Sequence, residues 1–163
     1  MLPISEKTIR TSFINASQRE RKDLHLPPSF ETLDWANLDY LGWRDEKFVG
    51  QGYVFVELDG EPQGILLRAA EAKTRSRPQC AWCEDVTLPN DVQFFTTKRA
   101  GDSGRRGNVI GTLVCSNFEC SRNVRKRPPV AYIGFDVDAA ITKRIEALGE
   151  NVRNFVRNVR DSA

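Results

Sequence analysis

Apolar positions along the chain change period several times, and each change marks a predicted element. Ile9, Phe13 and Ile14 share one face of a helix that opens at Ser5-Glu6 and fades near Ala16. Pro27-Pro28 then forces an extended stretch. Phe30, Leu33, Trp35, Leu38 and Leu41 predict a second helix from Ser29 to Tyr40, stopped by Gly42, with Trp43-Arg44-Asp45 opening a loop. The period next falls to two. Tyr53 to Leu58 is rich in β-branched and aromatic residues, Asp59-Gly60-Glu61-Pro62 supplies a turn, and Gly64 to Leu67 returns. Residues 52–70 therefore predict a β-hairpin, with Val54, Val56 and Leu58 facing the core and Phe55 and Glu57 the other side.

Polar residues 71–79 read as a linker. They divide the chain into an N-terminal α/β region, 1–73, and a second domain, 74–163. In the second, Val92 to Thr97 and Asn108 to Val114 predict two strands joined by a long, basic, glycine-rich turn, Lys98 to Gly107. Ser116 to Arg127 predicts a short helix ended by Pro128-Pro129, and Val130 to Phe135 a further strand. Asp138 is placed to cap a long helix with Ile141, Ile145, Leu148, Val152, Phe155, Val156 and Val159 on one stripe. The fold class is α+β: N-terminal helices and a hairpin, then a two-stranded unit packed by a long terminal helix.

At 163 residues and 40% hydrophobic, the chain has enough apolar material to bury a core. No run of about 18 apolar residues exists to span a membrane, and the N-terminus lacks an apolar signal core, so a cytoplasmic protein is expected. The net charge of +2 hides an asymmetry. Residues 31–62 hold eight acids and two bases, whereas residues 98–127 hold eight bases and two acids. That pattern predicts a basic surface for an anionic partner, unless the two segments compensate each other inside the fold.

A single histidine, His25, excludes most hydrolytic and histidine-metal chemistries. It lies in Leu24-His25-Leu26-Pro27-Pro28 and is expected to be structural. Gly101-Asp102-Ser103-Gly104 matches the surroundings of a serine-protease nucleophile, but Ser103 has no partner context and is expected to support the turn. No phosphate-binding glycine motif occurs. The sequence thus predicts a protein that is not an enzyme and has no small-molecule substrate.

The four cysteines carry the chemistry. Cys80-Ala81-Trp82-Cys83 is followed, 31 residues on, by Cys115 and then Cys120. Zinc takes four thiolates at about 2.3 Å in a tetrahedron, and a two-residue gap closes a knuckle that aims two sulfurs at one point. Cys115 ends a predicted strand and Cys120 lies in the first turns of a predicted helix, whose N-terminal dipole favours thiolate. Knuckle, hairpin and helix in that order make a treble-clef zinc finger. A redox pair and buried free thiols are the other readings. Four thiolates would close the coordination sphere and leave no open position for water.

Cys80-Ala-Trp-Cys83, Gly101-x-x-Gly104-Arg-x-Gly107-Asn, Gly111-Thr-Leu-Val-Cys115 and Cys120-Ser-Arg-Asn-Val-Arg125 resemble the C-terminal zinc finger of the elongation-factor-G-binding family. These are the FBP-domain proteins, which include the FusB-type fusidic-acid-resistance proteins. Trp35 to Asp45 is similar to the actinobacterial branch. The resemblance implies zinc at Cys80, Cys83, Cys115 and Cys120 and binding of elongation factor G, with an effect on its release from the ribosome. The N-terminal hairpin departs from the helical bundle of the resistance proteins. Arg105 and Arg106 on the turn, with Arg122, Arg125 and Lys126 on the helix, are the expected partner-binding cations. They would meet acidic protein surface or, in the alternative reading of a ribosome- or RNA-binding zinc module, rRNA phosphate. Trp82, between two ligands, would anchor an interface if exposed, or else cover the apolar side of the zinc site.

Overall fold

A computed structural model describes residues 1–70, 77–86, 90–130 and 132–161; most of the predicted linker lies outside the described residues. Five antiparallel strands, β1 (Leu41–Arg44), β2 (Gln51–Leu58), β3 (Glu61–Ala69), β4 (Val92–Lys98) and β5 (Val109–Cys115), lie side by side in chain order. The predicted hairpin is β2–β3, paired from Leu58↔Glu61 to Gln51↔Arg68. Asp59 and Gly60 turn it with φ of 56° and 81°, the left-handed pair that matches strand twist. β3 meets β4 at Arg68↔Thr96 and Ala69↔Phe95. The position expected to separate two domains therefore falls between neighbouring strands of one sheet.

Both faces of the central strands are buried, so their sequence reads as a nearly continuous apolar run. On one face, Val54, Val56, Leu58, Ile65, Leu67 and Phe95 lie in a single cluster with the buried stripe of the terminal helix. On the other, Tyr53, Phe55 and Leu66 pack with Ile9 and Phe13. Ile9 belongs to α1 (Glu6–Ser12), capped by Ser5, which accepts from the Thr8 amide. Phe55 thus points away from Val54, as its alternation predicts, yet is equally buried.

Three segments differ from expectation. Residues 29–40 form two 3-10 turns, Phe30–Thr32 and Trp35–Asn37, and not a helix. What was expected to be a loop after Gly42 is β1, recruited by β2 through Leu41↔Phe55 and Trp43↔Tyr53. A helix α2 (Gln18–Asp23) was not foreseen; it buries no residue but carries a complete capping box of Ser17 and Glu20.

In the second half, α3 (Gly101–Arg105) interrupts the predicted basic turn. A Cβ on Gly104 would collide with the Arg99 carbonyl oxygen. Ser103 is buried and accepts from Asn108 Nδ2 at 3.0 Å, a structural role. The helix after Cys115 is shorter than predicted, α4 (Cys120–Val124). The described residues between Val130 and Phe135 form a turn and no strand; Ala131 lies outside the described residues. The long helix α5 (Val137–Arg160) is capped by Asp136, two positions before the predicted Asp138, through the Ala139 amide. Its stripe is buried from Leu148 onward, while Ile141 and Ile145 are only partly covered.

One contact locks the sheet to the finger. Phe118, held at a φ of 59°, lays its ring across β1 and β2 where both strands have glycine. A Cβ at Gly42 would lie 2.6 Å from Phe118 Cβ, and one at Gly52 2.7 Å from Phe118 Cζ.

Candidate metal centre

The local backbone builds the centre from two turns. In the first, the Glu84 amide donates to the Cys80 carbonyl at 2.9 Å, with Glu84 at a φ of 58°. The Ala81 amide donates to Leu113 on β5 at 2.8 Å, which hangs this knuckle on the sheet edge. In the second, the Phe118 amide donates to the Cys115 carbonyl at 2.9 Å, carrying the chain from the end of β5 into α4, where Cys120 is the first residue.

All four cysteines are buried, and their sulfurs lie within 4.8 Å of one another. Cys80 to Cys120 and Cys83 to Cys115 are each 3.7 Å. A disulfide needs about 2.05 Å, so neither pair is bonded. A tetrahedron with a 2.3 Å metal–sulfur radius has edges of about 3.8 Å, so the spacing fits zinc. The Cys83 amide donates to Cys80 Sγ at 3.5 Å and Asn123 Nδ2 to Cys115 Sγ at 3.4 Å, which supports thiolate charge.

Without a cation the four sulfurs cannot all ionise. Hydrogen bonds with Cys115 and then Cys120 hold Cys80 and Cys83 below the usual thiol range. Cys120 is pushed well up by its bonds with Cys115, Cys80 and Cys83. A divalent ion removes that conflict by neutralising the charge that the second pair would add.

Trp82 is 1% exposed, so the exposed-anchor reading does not hold. Its ring meets Tyr40 edge-on at 5.3 Å and packs near Phe155 at 5.7 Å, forming an aromatic wall beside the sulfurs. Tyr40 donates to the Phe118 carbonyl at 3.2 Å, and burial, then the nearby Cys120, pushes its hydroxyl pKa well up. Neither Tyr40 nor Asn123 was anticipated as a support for the site. The only trace in the sequence is Asn123, three positions after the last ligand.

The predicted cations scatter. Arg106, Arg122 and Lys126 are exposed. Arg105 is exposed but paired with Asp102. Arg125 does not share a free face with Arg122, because its guanidinium grips Asp39 at 2.6 and 3.0 Å. Acidic and basic segments compensate at this point, and the Asp39 amide also donates to Ser121 Oγ at 3.0 Å. The single histidine lies elsewhere, with Nδ1 3.4 Å from Asp45.

A buried four-thiol centre held between a knuckle and a helix start, beside an antiparallel hairpin, defines a treble-clef zinc-finger protein. The chain belongs to the FBP C-terminal treble-clef zinc-finger family, whose model matches residues 8–159. Among solved structures it is similar to the fusidic acid resistance protein FusC, at 20% identity and a TM-score of 0.49. That similarity covers 72% of this chain and 57% of FusC, so the chain spans little more than half of that protein's length. Comparison with curated proteins gives no match.

Proposed function

We propose that this chain is a non-catalytic binding protein whose finger engages translation elongation factor G and promotes its release from the ribosome. Family membership across residues 8–159 carries this reading. The centre supports a binding role over a catalytic one. Four cysteine ligands fill a tetrahedral zinc, leaving no position for a reactive water. Exposed Arg106, Arg122 and Lys126 give the finger cations for an acidic partner.

The test is titration of purified full-length protein against purified elongation factor G, beside rRNA, at 50 and 300 mM salt. Saturable binding to the factor with a shallow salt dependence is expected, followed by faster dissociation of the factor from ribosomes. Absence of binding to the factor, with steeply salt-dependent binding to RNA, would overturn this reading in favour of an RNA-binding module.

A further inference from the structure

The zinc knuckle, the segment after α4 and the first half of α5 enclose a groove of about 400 Å³. Its lining includes Val86, Pro128 and Pro129, and three cations, Lys126, Arg127 and Lys143. Among the described residues these three have no carboxylate partner, unlike Arg144 beside them, which pairs with Asp85 at 3.3 Å. Beyond Pro129 in the chain, Val130, Tyr132 and Ile133 are 59%, 65% and 103% exposed. Val86, on the knuckle side of the groove, is 62% exposed.

Isolated exposed apolar residues are ordinary, but a groove lined by exposed Val86 and Pro129, with three more exposed apolar residues following in the chain, marks an interaction surface. We propose that this groove is a docking site for an acidic, apolar-containing segment of a protein partner. The inference rests on the reading of the chain as an elongation-factor-G-binding protein and assigns the surface used.

Charge complementarity selects the occupant. Three cations with no carboxylate partner among the described residues, beside Val86, Pro128 and Pro129, call for carboxylates flanking an apolar anchor. RNA suits the site less well. The aromatic ring in the groove's lining, Trp82, is 1% exposed and offers no face on which a base could stack. The turn cations Arg105 and Arg106 are not among the groove's lining residues.

The experiment compares three full-length zinc-loaded proteins for binding to purified elongation factor G. They are the wild type, the groove reversal Lys126→Glu/Arg127→Glu/Lys143→Glu, and a charge-matched reversal on the N-terminal helices, Lys7→Glu/Arg19→Glu/Lys22→Glu. Zinc content and melting temperature are measured on each. The groove variant is expected to lose at least tenfold in affinity, mostly through slower association, and the helix variant less than threefold. A second route avoids any change in charge: a benzophenone side chain at Ile133 is photo-cross-linked to the factor and the attached peptide is sequenced. An Asp/Glu-rich peptide is expected.

If the wild type binds and the folded groove variant binds equally well, the groove assignment is wrong and the binding reading survives. Cross-linking to a segment without acidic residues likewise overturns the assignment. If the wild type does not bind the factor at all, the reading itself fails and the assignment falls with it. Selective cross-linking of Ile133 to rRNA would replace both with the nucleic-acid reading.

Discussion

Cys83 shows how much rests on one side chain. Its sulfur is one of four that must neutralise the ion, and it cannot be replaced by a hydroxyl of similar size, because zinc favours thiolate. Structural zinc contributes about 10–16 kcal/mol in finger peptides, against about 5–15 kcal/mol for a whole domain. Cys83→Ser is therefore expected to abolish stoichiometric zinc in elemental analysis and to leave no cooperative melt of the finger. Asp45 is the other demanding residue. It is 6% exposed and accepts from the Lys47 and Phe48 amides and the Tyr53 hydroxyl. Burial alone would raise its pKa, but these bonds outweigh burial and hold it below the ordinary carboxyl value. The stabilisation is complete above the unfolded value of about 3.9 and is lost as pH falls through the lower folded value. Melting temperature is expected to drop on acidification below about pH 4, and Asp45→Asn to flatten that drop while costing about 1–3 kcal/mol at neutral pH. The cysteines were legible in the sequence because metal geometry dictates their spacing. Asp45 was not, because its partners come from a tight turn and a neighbouring strand that only the fold brings together.

Among the elements, α5 was the most legible, since a stripe sustained from Leu148 to Val159 has no alternative to burial. Phe155 is 9% exposed and meets Trp82, so Phe155→Ala is expected to cost about 3–5 kcal/mol in denaturant unfolding. Truncation at Gly149 removes Val152, Phe155, Val156 and Val159 from the core. An unchanged melting temperature after that truncation would contradict the packing described above. The stretch 29–45 departs from its apolar period for a physical reason. Its apolar residues do recur at near-helical intervals, but they serve two different partners. Phe30, Leu33, Trp35 and Leu38 pack against the cluster on the α1 face, while Tyr40 turns into the zinc-side core. Leu38 and Trp35 also lend their carbonyls to the N-terminal amine of Met1 at 2.7 and 2.9 Å. Hydrogen bonding to β2 then outbids helix propensity for Leu41 to Arg44. The helix α2 buries nothing, so periodicity carries no signal for it; the Ser17-x-x-Glu20 cap was its one legible mark.

For the whole molecule, the shared sheet and the Asp39–Arg125 pair make the finger's metal a concern of the N-terminal half. Stripping zinc with a strong chelator is expected to raise amide hydrogen exchange in β2 and β3 together with β4 and β5. Exchange confined to residues 80–124 would show instead that the N-terminal half keeps its own stability. The division expected at 73/74 came from composition, and composition registers a polar connection without registering that the strands on either side of it pair. The opposing charges of residues 31–62 and 98–127 were legible as a pattern, but only the fold shows which members cancel and which stay free.

The Phe118 ring lying over two glycines has a consequence for how the family can vary. Gly42 and Gly52 are 10 positions apart on different strands, and neither belongs to the four-cysteine centre, yet Gly52 leaves room for the Phe118 ring and Gly42 for both Phe118 and Tyr40. Divergence at 52 and 118 cannot proceed one site at a time. A relative that has acquired a Cβ at 52 must also have given up the aromatic at 118, whereas a Cβ at 42 would still meet the Cβ of any side chain at 118 and the ring of Tyr40. Positions 52 and 118 are thus expected to covary across related sequences, and a Gly52→Ala variant to be rescued by Phe118→Leu more effectively than by any change among the zinc ligands.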